Sequence, residues 1–173
     1  MTAPMETSVA RLFIHGPKST RPDDVAPTPM AAVGSVEAVE GMGLREDARY
    51  FRRTTDAHDR KRQVSLIDEA TVWDLERSFG PIPPEFIKAQ IVLSGEIHLP
   101  SLVGSRLRFE GGSELRISIP RIPCYAMDLI HSGLRLAMEG GRQGALARVT
   151  VSGPIVVGQT VSLEASELTS LTA

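Results

Sequence analysis

The stretch Arg106–Ile119, RLRFEGGSELRISI, restricts the fold more than any other part of the chain. Leu107 and Phe109 alternate with Arg106, Arg108 and Glu110, and Leu115, Ile117 and Ile119 alternate with Glu114, Arg116 and Ser118. Side chains along a strand point to opposite faces in turn, so each half has one apolar face and one wet face. Gly111-Gly112 offers the turn between them, which makes the segment a hairpin. Arg106, Arg108 and Arg116 then belong to its wet face. A hairpin with one apolar face must bury that face against further strands.

Such strands are present. Val9–His15, Ala31–Val39, Val64–Ile67, Ile91–Leu93, Ala147–Val151 and Val156–Leu163 are short apolar or alternating runs bounded by glycine and proline. Asp68 is placed to cap a helix whose Val72, Leu75 and Phe79 recur at helical spacing until Gly80-Pro81 stops it. Trp73 on that helix reads as core. Pro83-Pro84 opens a short helical turn, and Ala126–Met138 reads as a helical interval broken near Ser132-Gly133. Many short strands with few helices predict a mainly β fold, a closed or nearly closed barrel that leaves no free edges, with the helices on its outside or across its ends. The length of 173 residues fits one domain, 1–173, with its core at about 8–163. Residues 17–30, rich in proline, read as a loop, and 164–173 as a tail.

Composition narrows the function classes. A net charge of -2 gives no general attraction to nucleic acid or to an anionic membrane. No apolar run has the length needed to span a bilayer, and Met1–Thr7 lacks the features of a secretory signal. A single cysteine excludes an intrachain disulfide and points to a reducing, cytoplasmic setting. His15, His58, His98 and His131 are scattered, with no zinc-ligand spacing. Gly140, Gly141 and Gly144 follow a helix rather than a strand and lack the lysine of a phosphate loop.

Two features could carry chemistry. The first is Cys124, in IPRIPCYAMD. It could be a small apolar residue filling a core. Its setting argues for more: Pro123 fixes the chain before it, a helix start follows it, and Arg121 is three residues away. A helix N-terminus and a guanidinium both favour a thiolate, which is the nucleophile and the soft-metal ligand. A working thiol would face a cavity, not the closed core. The second is the basic run Arg49, Arg52, Arg53, Arg60, Lys61, Arg62. It is either a solvated loop partly neutralised by Asp56 and Asp59 or a cradle for an anion, since guanidinium groups match phosphate geometry.

The order of these features resembles the MOSC family, the domain at the C-terminus of molybdenum cofactor sulfurases that also occurs alone in bacteria. GMGLREDARYF, RQVSLID, IVLSGEIHLPSLVGSRLRF, IPRIPCYAMD and GGRQGALARVTVSGPIVVGQTV are similar to successive family segments. The resemblance implies a β-barrel-like fold and a cysteine, here Cys124, that handles sulfur or ligates molybdenum in a pyranopterin cofactor. It implies cofactor contacts from the early segment, matched here by Asp47 and Arg49; Arg49 with Arg52, Arg53 and Arg62 would then hold the phosphate, and Arg121 is a further candidate cofactor contact. It also implies reduction of N-hydroxylated compounds, with electrons from a separate reductase or sulfur from a separate donor. The chain departs from the family at Glu46, where a glycine is expected. It departs again at Ala89-Gln90, where an arginine–asparagine pair is common, and at Gln159, where an aspartate often follows glycine. These departures suggest the rival reading, a non-catalytic barrel that binds a small anion or a protein.

Overall fold

The computed structural model describes residues 5–17, 28–50 and 60–166. The strands are β1 (Met5–Ile14), β2 (Ala31–Val33), β3 (Ser35–Val39), β4 (Gly43–Leu44), β5 (Val64–Asp68), β6 (Ile91–Leu93), β7 (Arg106–Phe109), β8 (Glu114–Pro120), β9 (Ala145–Val151), β10 (Gly153–Val156) and β11 (Thr160–Glu164). Two helices lie wholly within the described residues, α1 (Glu69–Phe79) and the single turn α2 (Leu134–Ala137), with 3-10 turns at Pro84–Phe86, Leu99–Leu102 and Tyr125–Met127.

The hairpin is β7–β8, with Leu107 opposite Leu115. Both leucines are fully buried, and with Phe109 and Ile117 they face the interior. Burying each such side chain stabilises the fold by about 2 kcal/mol. Seven strands follow one another around a ring, β11-β7-β8-β9-β5-β6-β1, and β1 pairs with β11 to close it. A barrel therefore encloses one apolar cluster that includes Val9, Leu66, Ile91, Leu93, Ala147 and Val161. β2 adds to β1 outside the ring.

Every pairing is antiparallel except β5–β6, where Leu66 lies opposite Ile91. Parallel neighbours need a crossover, and α1 supplies it. Asp68 ends β5 and caps α1: its carboxylate accepts the Thr71 N–H at 3.2 Å and the Thr71 hydroxyl at 2.8 Å. Gly80, at φ 81°, ends the helix. Val72 and Leu75 pack on Ile67 and Val92 in a second apolar layer between α1 and the outside of the sheet. Beyond the α2 segment the chain re-enters at Gly144, at φ +80°, where a Cβ would come within 2.0 Å of the Leu66 carbonyl oxygen. Only glycine fits.

Four expectations need correction. Val156–Leu163 is not one strand: a turn at Val157-Gly158 separates β10, which joins β3 and β4 in a small second sheet, from β11, which closes the barrel. Ala31–Val39 is likewise split at Gly34 into β2 and β3. The interval Ala126–Met138 holds a 3-10 turn and one α-turn, because Gly133 at φ 83° breaks it. Trp73 is 51% exposed, since it lies on α1 beside, not beneath, the buried stripe of Val72 and Leu75.

Candidate functional site

Four segments that leave or enter the barrel strands meet at one place. His15 follows β1, Asp47 and Arg49 follow β4, Lys88–Gln90 precede β6, and Arg121–Cys124 follow β8. Asp47 is buried at their centre. One carboxylate oxygen accepts the His15 backbone N–H at 2.8 Å, the His15 ring Nδ1–H at 2.8 Å and the Gln90 Nε2–H at 2.7 Å. The other accepts the Arg49 backbone N–H at 2.8 Å. Burial alone would push this carboxyl up, but the His15 side-chain and backbone bonds and the Arg49 N–H outweigh it and hold it down at about 2. His15 is buried too, and burial lowers its affinity for a proton more than Asp47 raises it. The pair is a neutral imidazole on a carboxylate.

Gln90 extends the network. Its Oε1 accepts the Ser65 N–H at 3.0 Å, and the Ser65 hydroxyl donates to the Lys88 carbonyl at 3.0 Å. Lys88 has φ 63°, the left-handed region that a side chain enters only when its surroundings hold it there. Lys88 Nζ donates to the Thr28 carbonyl.

Arg49, Lys88 and Arg121 lie close enough to one another to interact by charge. Burial lowers the Lys88 pKa first, and Arg49 and Arg121 lower it further, while Cys124 acts to raise it. Burial pushes Arg121 down to about 10, opposed by Cys124 and assisted by Arg49. Arg121 donates to the Ile87 carbonyl at 3.1 Å. None of the three cations forms an ion pair with a described carboxylate. Cys124 is exposed beside them, so it is not a core filler. The helix after it is the single 3-10 turn Tyr125–Met127, too short to bring a helix dipole to the sulfur, so Lys88 and Arg121 are the charged groups beside it.

The structure therefore brings Asp47, Arg49, Arg121 and Cys124 together. Arg62 is exposed ahead of β5 and makes no hydrogen bond or ion pair with a described residue. Arg52 and Arg53 lie outside the described residues. Sequence reasoning missed three members. Lys88 went unmarked, His15 read as one scattered histidine, and Gln90 read as a loss although it is bonded to Asp47. Ala89 is buried against a cavity of about 130 Å³ beneath α1, lined by the apolar Ile67, Val72, Ile87 and Val92 and by the charged Arg11, Glu69 and Glu76. An arginine at 89 would enter this cavity and not the cluster around Cys124. Gln159 sits in the β10–β11 turn, accepting the Val156 N–H and bonded through its carbonyl to Val9. Val9 lies six residues before His15, ~20 Å at strand rise, so Gln159 has no part in the site. Among the described residues no His, Cys, Asp and Glu group of three or more could hold a metal by itself. No helix there is long and apolar enough to cross a membrane.

The MOSC domain family matches residues 43–162 of the chain. The YUAD protein of Bacillus subtilis is similar in structure, with a TM-score of 0.78 at 20% identity over 96% of this chain and 100% of that one. YiiM of Geobacillus stearothermophilus gives 0.67 at 17% identity, over 91% of this chain and 75% of that one. YiiM of Escherichia coli gives 0.65 at 18%, over 94% and 71%. At such identities the likeness is one of fold. No curated protein matches the chain in sequence.

Proposed function

The chain belongs to the MOSC domain family, and we propose that it binds a pyranopterin molybdenum cofactor, or handles sulfur for one, through Cys124 and the cations around it. The observation that carries this reading is the convergence of Arg49, Lys88 and Arg121 on an exposed thiol, none of the three in an ion pair with a described carboxylate. Repulsion between the partly desolvated Lys88 and Arg121, and between each of them and the exposed Arg49, is unfavourable unless an anion joins them. The donor set fits the cofactor: a soft sulfur suits a thiophilic metal, and guanidinium and ammonium groups suit a phosphate. When bound, the cofactor supplies a two-electron redox centre for reducing an N-hydroxylated compound.

The chain's own residues do the rest. Cys124 presents the ligating or sulfur-carrying atom. Arg49, Lys88 and Arg121 hold the phosphate beside that sulfur. Asp47 fixes the Arg49 backbone and the entry to β6. Electrons would come from a separate reductase, or sulfur from a separate donor, in the cytoplasm.

The test is elemental analysis of protein made in a host that supplies the cofactor. Molybdenum is expected in the parent and lost in a folded Cys124→Ser variant. A parent without molybdenum but with an added sulfur on Cys124, read by mass spectrometry, supports the sulfur-carrying form instead. The burial of Ala89 in the apolar layer, in place of an arginine, favours a second reading, a non-catalytic anion-binding barrel. Neither metal nor added sulfur, with phosphate binding intact in Cys124→Ser, would leave that one standing.

A further inference from the structure

We infer that His15 is the positioning residue of the anion site, setting Asp47 and through it both Arg49 and the strand entry that carries Lys88. The inference rests on the reading of Arg49, Lys88 and Arg121 as an anion site around Cys124.

Three contacts clamp the Asp47 turn to the end of β1. The His15 backbone N–H and ring Nδ1 both reach one Asp47 oxygen, each at 2.8 Å, and the His15 carbonyl accepts the Ala48 N–H at 3.0 Å. The turn so held delivers Arg49, whose backbone N–H is on the other Asp47 oxygen at 2.8 Å. The same carboxylate holds Gln90 at 2.7 Å, Gln90 holds Ser65, and the Ser65 hydroxyl holds the Lys88 carbonyl at 3.0 Å. An unbroken run of hydrogen bonds thus joins the His15 ring to a lysine in the left-handed region. Positioning by such a relay needs rigid supports: Ser65 is on β5, and His15 and Gln90 adjoin β1 and β6, so the Asp47 turn is held from three strands.

The ring also carries a cost that stability alone does not explain. Because Nδ1 donates to the carboxylate, Nε2 is left as an acceptor, and it is buried with no partner among the described residues. An apolar side chain of similar shape would avoid that cost. The imidazole is retained for its Nδ1–H. It faces Asp47, Arg49 and Lys88, and its burial keeps it neutral, so it adds no fourth cation to the cluster.

Cys124 is the only thiol, which makes its alkylation an unambiguous local probe. The ratio of its rates with iodoacetate and with iodoacetamide, relative to the same ratio for glutathione, reports the cationic field at the sulfur without any cofactor. The parent is expected to favour the anionic reagent. His15→Ala, shown folded by urea unfolding, should lower the ratio about threefold, as expected for displacing a unit charge within several ångströms in water. His15→Asn, which restores a donor near Nδ1, should bring it back to within twofold of the parent. If His15→Ala does not fold, His15→Gln, which keeps bulk but moves the donor, takes its place with the same expected loss. An unchanged ratio in the folded variant, or an asparagine that restores nothing, overturns the positioning role. A parent ratio no higher than that of glutathione rejects the anion site itself, a separate outcome.

Discussion

Replacing Asp47 with asparagine isolates the charge at the centre of the site while keeping its shape. The carboxyl is held at about 2 against an ordinary 3.8, which at 1.36 kcal/mol per unit corresponds to about 2 kcal/mol of stability near neutral pH. The asparagine NH2 would also face N–H donors where an acceptor stood, stranding at least one of the His15 backbone N–H and the Gln90 amide, for about 1–3 kcal/mol more. The sign follows from the depressed pKa. The carboxylate's contribution is fully present above the ordinary value and is lost as pH falls through it toward the folded value. Urea unfolding of parent and Asp47→Asn should therefore show a gap of about 3–5 kcal/mol near pH 7, constant down to about pH 5 and narrowing toward about pH 3. A gap that is the same at both ends of that range, or an asparagine variant as stable as the parent, would refute the account of Asp47 as a buried, bonded anion.

Other substitutions separate fold from site. Gly144→Ala combines a left-handed alanine with a Cβ on the Leu66 carbonyl, so a loss of about 2–5 kcal/mol is expected; a melting temperature within two or three degrees of the parent would contradict it. Lys88→Gly should relieve about 1 kcal/mol of backbone strain and raise the urea midpoint, while weakening phosphate binding measured by calorimetry. A variant that gains no stability would mean that Lys88 is unstrained. Trp73→Ala should cost less than about 1.5 kcal/mol because the ring is half exposed, against the ~3–5 kcal/mol typical of a buried tryptophan. His15, kept neutral in the folded protein, should add a loss of stability as pH falls below its ordinary 6.5, visible as a shallower acid slope in His15→Asn.

The parts of this fold that could be read from the chain are those coded locally. Alternation over Arg106–Ile119 placed β7 and β8, an apolar triplet placed β6, and Asp68 and Gly80 marked the two ends of α1. The β10–β11 break escaped because Val156, Val157 and Val161 share one apolar look across a turn, and only pairing with different partners tells them apart. The site divides the same way. Arg121 and Cys124 are neighbours in sequence, and Arg49 stands beside Asp47, so both pairs were visible. His15 and Gln90 meet Asp47, and Lys88 joins them through Ser65, only because β6 lies between β1 and β5, setting Gln90 beside Ser65 and Phe13. No local pattern encodes that adjacency.

The seam between β1 and β11 has a bearing on how the chain is made. Met5 lies opposite Leu163 and Ser8 opposite Thr160, so the first strand of the ring meets its last across roughly 150 residues, a loop whose closure slows folding more than it weakens the product. During synthesis β1 leaves the ribosome with no second neighbour to pair with. It can dock on β6 midway, yet one edge stays open to other strands until β11 emerges. Closure of the ring must come late, and for that interval the nascent chain is exposed to misassociation from which the finished barrel is protected.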